Sequence, residues 1–143
     1  MSVTLFVTND FGPRAGGIET FVHGLIERFP KNSVQVYTSQ QGDTSSYDAT
    51  WLKNYGVTVC RDRSKMLLPT PRVIREVRKV INQNKPEAVV FGAAAPLALM
   101  GKFLPVNRKV ALTHGHEVWW AKVFPFSLLM RWIGDSVDHL TYL

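Results

Sequence analysis

Short apolar runs alternating with amphipathic stretches predict an α/β fold, a parallel sheet with helices on both faces. Two observations carry this. Val3–Thr8, Val34–Ser39, Val57–Arg61, Ala88–Phe91 and Lys109–Thr113 are brief runs dominated by apolar residues, as expected of strands buried on both faces. Between them, Ile18–Phe29 and Pro71–Asn84 repeat apolar residues at helical spacing. The chain has 143 residues, 45% of them hydrophobic, enough for one domain with a real core.

Taken in order, Val3–Thr8 is read as the first strand. Ile18, Phe21, Val22, Leu25, Ile26 and Phe29 define one face of the first helix, which ends at Pro30. Val34–Ser39 is the second strand. The polar segment Gln40–Thr50, rich in Ser, Thr and Asp, is expected to be a mobile loop. Asn54-Tyr55-Gly56 is a turn into the third strand, Val57–Arg61. Pro71–Asn84 is helical, with Pro favourable in its first turn. Ala88–Phe91, a short helix over Leu97–Leu104 and Lys109–Thr113 follow. Phe124–Ile133 is expected to be helical, and His139–Leu143 to open a sixth strand. A sixth strand with nothing after it suggests one part of a larger protein.

Lys and Arg total 17 against 11 acids, a net charge of +6 that favours anionic partners such as nucleotides, nucleic acid or an anionic membrane surface. The single Cys60 rules out an internal disulfide and suits a reducing compartment. The amino terminus reads as a strand rather than a signal peptide. The greasiest segment, Trp119–Gly134, is broken by Lys122, Pro125 and Arg131, so it is a poor membrane span. A soluble or peripherally attached protein is expected.

In parallel sheets ligands gather outside the carboxyl ends of the strands, here Asn9–Gly17, Arg61–Pro69, Gly92–Pro96 and His114–Ala121. Gly16 and Gly17 stand where the first helix begins. Unpaired N–H groups and the positive end of the helix dipole favour a phosphate there. A tight turn needing no ligand would also use these glycines. The spacing is not the Gly-x-Gly-x-x-Gly of dinucleotide sites.

Thr113-His114-Gly115-His116-Glu117 follows the fifth strand and puts two histidines and an acid at the same edge. His114 could contact a ligand, join a metal site or be a satisfied structural histidine. Neither further ligands nor an Asp-x-Asp pair support a metal, and none is assigned. Arg61, Arg63, Lys65, Arg72, Arg75, Arg78 and Lys79 face only Asp62 and Glu76. Val73, Ile74, Val77, Val80 and Ile81 form the buried stripe of that helix, leaving Arg72, Arg75 and Lys79 opposite. With the apolar Met66-Leu67-Leu68 expected to be exposed beside it, this region suits an anionic bilayer or is simply a solvated face. Of the aromatics, Trp119 or Trp120 is placed nearest a ligand. Nucleic acid is disfavoured, because the basic residues lack interleaved aromatics and a binding motif.

Pro13-Arg14-Ala15-Gly16-Gly17-Ile18-Glu19 and the amphipathic helix after it resemble the opening of retaining GT-B glycosyltransferases of family 4. Thr113-His114-Gly115 at the end of the fifth strand strengthens the likeness. More narrowly, Thr8–Glu19 with Leu112–Glu117 looks like actinobacterial GDP-mannose-dependent phosphatidylinositol mannosyltransferases, above all those acting on the monomannoside. The resemblance covers residues 1–143 as the Rossmann-like amino-terminal, acceptor-side domain of that fold. The carboxy-terminal nucleotide-sugar domain, with its diphosphate-binding Arg/Lys pair and Glu-x7-Glu signature, would be absent from this chain, leaving it inert alone.

The resemblance implies transfer of mannose from GDP-mannose, with retention, onto a phosphatidylinositol mannoside. It implies a peripheral protein on the inner face of the cell membrane, with no metal or other cofactor. Gly16 and Gly17 would approach the donor diphosphate and His114 the transferred sugar. Arg63, Lys65, Arg72, Arg75 and Lys79 would lie near the acceptor or membrane phosphates. Glu117 is the nearest carboxylate to a nucleophile. The alternatives are a GT-B enzyme using another nucleotide sugar and a soluble acceptor, or a non-catalytic nucleotide-binding α/β module.

Overall fold

The computed structural model describes residues 3–13, 17–93, 97–112 and 137–141. Six strands form one sheet: β1 (Thr4–Thr8), β2 (Val34–Thr38), β3 (Thr58–Arg61), β4 (Ala88–Phe91), β5 (Arg108–Leu112) and β6 (His139–Thr141). Their order is β3-β2-β1-β4-β5-β6, and every pairing is parallel. This is the Rossmann-type order, with β1 and β4 at its centre. Both are almost wholly buried, whereas edge strand β3 has exposed and half-buried positions.

Alternation along the strands divides the core in two. Leu5, Val7, Val89 and Phe91 face one side, where α3 (Pro71–Asn84) and a 3-10 helix (Leu97–Phe103) cover them. Phe6, Val36 and Val90 face the other, with Val22 and Ile26 of α1 (Gly17–Glu27) and Trp51 of α2 (Ser45–Tyr55). The expected sandwich of helix, sheet and helix is thus formed.

Helix α3 begins where the sequence places it. The Thr70 hydroxyl caps it by accepting from Val73 N–H at 3.3 Å, and Pro71 occupies the first turn. Val73, Val77, Val80 and Ile81 are its buried stripe, with Ile74 at the margin.

Two expectations are corrected. The segment Gln40–Thr50 is not wholly a loop: from Ser45 it is the first half of α2. Its composition hides the helix, because it buries one large side chain, Trp51, with Tyr47 and Tyr55 half-buried beside it and mostly polar residues around the rest. Asp43 accepts from Ser45 N–H and Oγ at its start. At its end Gly56 is left-handed at φ +66°, and its N–H reaches Leu52 O. The second correction is Leu67, which is fully buried, while its neighbours Met66 and Leu68 are 62% and 46% exposed. The helix expected over Phe124–Ile133 lies outside the described residues.

Candidate functional site

Strand order reverses between β1 and β4, the switch point at which open parallel sheets generally bind ligands outside the carboxyl ends of their strands. Gly92, just after β4, lies hard against Thr8 at the end of β1: a Cβ there would lie 2.3 Å from Thr8 Oγ1 and 2.6 Å from Thr8 Cβ. The Thr8 hydroxyl in turn accepts from Asp10 N–H at 2.9 Å, turning the chain away from β1.

The segment after β1 is held from the β2–β3 side. Asn9 pairs with the backbone of Leu67 in both directions, donating to its carbonyl at 3.1 Å and accepting from its N–H at 2.7 Å. Gln41 Nε2 donates to Asn9 O at 3.1 Å. The end of the Gln41 side chain packs against Gly12, where a Cβ would fall 1.8 Å from Oε1 and displace it. The Phe11 ring is fully buried, with centroids 5.2 Å from His23, 5.5 Å from Tyr47 and 5.1 Å from Trp51. The Tyr47 hydroxyl lies 2.6 Å from His23 Nε2. Burial lowers the His23 pKa, against the opposing charges of Glu19 and Glu27.

Gly17 opens α1, and it is the counterpart of these crowded glycines: a Cβ built on it would meet nothing within 4 Å. Glu19 occupies the first turn and complements the helix dipole. Gly16, His114, Glu117, Trp119 and Trp120 lie outside the described residues.

The basic segment separates into three parts. Arg61 is not a surface cation. Its side chain is 8% exposed and forks onto Asp48 at 2.8 and 2.9 Å. Arg72 forks onto Asp62, which is buried and also accepts from Tyr37 Oη at 2.5 Å and from the backbone and hydroxyl of Ser64. The Arg72 guanidinium holds the Asp62 carboxyl well below the usual carboxylate range. Burial and the Asp62 bond raise the Tyr37 phenol.

The third part is exposed. Arg63, Arg75 and Lys79 join Arg72 around a cavity of about 480 Å³ beside β3. Lys79 reaches Glu76 at 3.4 Å. Lys65 is exposed but does not line this cavity. An adjoining groove of about 590 Å³ combines Arg75, Arg78 and Lys79 with Ile74 and the half-exposed Phe103. The structure therefore gathers four of the five basic residues singled out for an anionic partner, with Arg72 already paired to Asp62 and Lys79 to Glu76.

Sequence reasoning missed the Asp48–Arg61 pair and the aromatic cluster. A signal was present: Tyr47, Trp51 and Tyr55 recur every fourth residue, a helical repeat within the polar segment. Among the described residues, no group of three His, Cys, Asp or Glu could hold a metal, and no helix is long and apolar enough to cross a membrane.

No protein-family model matches the chain. Curated relatives do. The GDP-mannose-dependent monoacylated α-(1-6)-phosphatidylinositol monomannoside mannosyltransferase of Corynebacterium glutamicum is 38% identical over 98% of this chain and 37% of its own length. The GDP-mannose-dependent α-(1-6)-phosphatidylinositol monomannoside mannosyltransferase of Mycobacterium tuberculosis is 36% identical over 100% of this chain and 38% of its own. The protein of that description from Mycolicibacterium smegmatis is 36% identical over 97% and 37%. The chain thus spans little more than a third of the relatives it matches. Its Rossmann-type sheet and this likeness along nearly its whole length make it homologous to a little over a third of the length of these actinobacterial GDP-mannose-dependent phosphatidylinositol monomannoside mannosyltransferases.

Proposed function

We propose that this chain is the amino-terminal, acceptor-side half of a retaining mannosyltransferase. The whole enzyme would move mannose from GDP-mannose to a phosphatidylinositol mannoside at the inner membrane surface. The observation that carries this reading is the 36–38% identity, over 97–100% of the chain, to enzymes described by that donor and that acceptor. The switch point between β1 and β4 and the glycine that opens α1 support a donor site there. A second domain, outside this chain, would hold the nucleotide.

Breaking the sugar–phosphate bond develops positive charge on the sugar and negative charge on the departing diphosphate. Fixed N–H donors stabilise the latter without reorganising during the reaction. Gly16 and Gly17 at the start of α1 would supply such donors, and His114 would orient the sugar rather than act as a base. The chemistry invokes no metal or other cofactor. Arg63, Arg75 and Lys79, with Lys65 nearby and Arg72 held by Asp62, present positive charge to the acceptor phosphate or bilayer. Each exposed cation near an anionic surface adds about 1 kcal/mol of attraction.

The deciding experiment offers the full-length protein GDP-mannose, UDP-glucose or UDP-N-acetylglucosamine on membranes containing inositol phospholipids and their mannosides. The expected outcome is one added hexose on the mannoside with GDP-mannose alone, read by mass spectrometry. Transfer from another donor would overturn the GDP-mannose assignment. Absence of transfer to lipid from any donor would overturn the lipid acceptor.

A further inference from the structure

We propose that Arg61 and Asp48 are positioning residues for donor binding, bracing the segment after β1 in the shape that lets α1 receive a diphosphate. This rests on the reading that the donor meets Gly17. Arg61 stands at the end of β3, two strands away from β1. Its guanidinium nevertheless reaches the segment after β1: Nη2 donates to Phe11 O at 3.1 Å, while Nη1 donates to Ser39 O at 2.8 Å. Both contacts depend on Asp48, which takes the remaining edge of the fork through Nε and Nη2 and neutralises the charge. One side chain therefore ties together the carboxyl ends of three strands and the helix beyond them.

Stability alone is a poor account of this arrangement. Taking an ion pair out of water offsets much of its attraction, and apolar replacements of similar volume are often no less stable. What an apolar side chain cannot do is orient a carbonyl. Phe11 is already anchored by its ring, and Asn9 by Leu67 and Gln41. The Arg61 bond adds direction: it fixes the peptide plane after Phe11, just before Gly12 and Pro13 lead toward α1. A planar five-donor fork can hold two carbonyls and a carboxylate at once, whereas an ammonium cannot match that geometry.

The test uses the full-length protein with Asp48→Asn and, separately, Arg61→Lys. Asp48→Asn is nearly isosteric at a side chain 23% exposed, and Arg61→Lys keeps the charge while removing the fork. Two readouts are taken: amide hydrogen exchange of residues 9–13 against 71–84, and steady-state kinetics with donor and acceptor varied separately. Loosening the brace lowers the fraction of protein competent to bind donor, and apparent affinity falls in proportion.

Loss of hydrogen bonds to a charged group supports an expected change of about tenfold. Exchange at 9–13 should quicken by about that factor while 71–84 is unchanged. Donor KM should rise about tenfold, with kcat and acceptor KM within about twofold. Unchanged exchange at 9–13 in both variants would overturn the brace. Faster exchange with unchanged donor KM would overturn its link to the donor. A wild-type protein that binds no nucleotide sugar would remove the proposed function and the donor half of this inference together, leaving the exchange result to judge the brace.

Discussion

Asp62→Asn should destabilise the domain at neutral pH and much less in acid. The carboxylate is almost fully buried and accepts from both Arg72 terminal nitrogens at 3.0 and 2.8 Å, from Tyr37 Oη at 2.5 Å and from Ser64 N–H at 3.0 Å. Asparagine keeps one acceptor oxygen and turns the other into a donor facing donors. A buried ion pair broken on one side typically loses 3–5 kcal/mol, but water can reach part of Arg72, so we expect about 3 kcal/mol.

The folded-state pKa of Asp62 is depressed, chiefly by the Arg72 bonds. At pH 7 the group is ionised in both states and its stabilisation is complete. Below about pH 4 the unfolded chain takes up its proton first, and stability is lost at up to about 1.4 kcal/mol per pH unit. The amide side chain of the variant does not titrate in this range. Urea unfolding of both proteins at pH 7 and pH 2.5 should therefore show a gap of about 3 kcal/mol shrinking to about 1. A gap of equal size at both pH values would refute the ionic account of this network.

Gly17→Ala should leave stability unchanged or raise it by up to about 1 kcal/mol, because the helix gains a better former and the Cβ meets open space. Gly92→Ala should lower it by about 1–3 kcal/mol through the collision with Thr8, and thermal melts of the pair would separate them. If the donor diphosphate lies at Gly17, the Gly17→Ala full-length enzyme should nonetheless bind GDP-mannose more weakly by calorimetry; equal affinity would move the diphosphate elsewhere. Because burial lowers the His23 pKa, its neutral form is favoured on folding. Stability should decline as pH falls below about 6.5, a slope that His23→Gln should remove and that an NMR titration of the imidazole would locate. Phe103→Ser, at a half-exposed side chain, should change stability by less than about 0.5 kcal/mol. If the basic groove faces lipid, the same change should reduce flotation of the full-length protein with anionic liposomes, and unchanged flotation would exclude Phe103 from that contact.

The strands and α3 were legible in the sequence because each obeys one strong rule: unbroken apolar runs in a two-sided sheet, and a capped amphipathic stripe. Helix α2 was not, since its one deeply buried side chain, Trp51, gives a weak stripe and its Ser/Thr/Asp start reads as a turn. Helical spacing put Arg72, Arg75 and Lys79 opposite the buried stripe, where Arg75 and Lys79 are exposed, but it could not show that Arg72 is tied to Asp62 or that Arg61 turns inward. Its partner Asp48 lies thirteen residues earlier, in the segment expected to be loop. Pairings across such distances are set by tertiary geometry, and local pattern carries no record of them. Leu67 shows the same limit: an apolar residue between two exposed ones is buried because Asn9 fastens its backbone.

The central place of β1 bears on how the chain is made. Its first residue pairs with Val34 on one side and with Ala88 on the other. During synthesis at roughly 10 residues per second, one flank of this very apolar strand awaits its partner for about eight seconds. Over that interval Leu5, Phe6 and Val7 form an unprotected edge, open to pairing with a neighbouring nascent chain. Substitutions that weaken α3, the connection that delivers β4, would thus lower the yield of soluble protein beyond their effect on the finished fold.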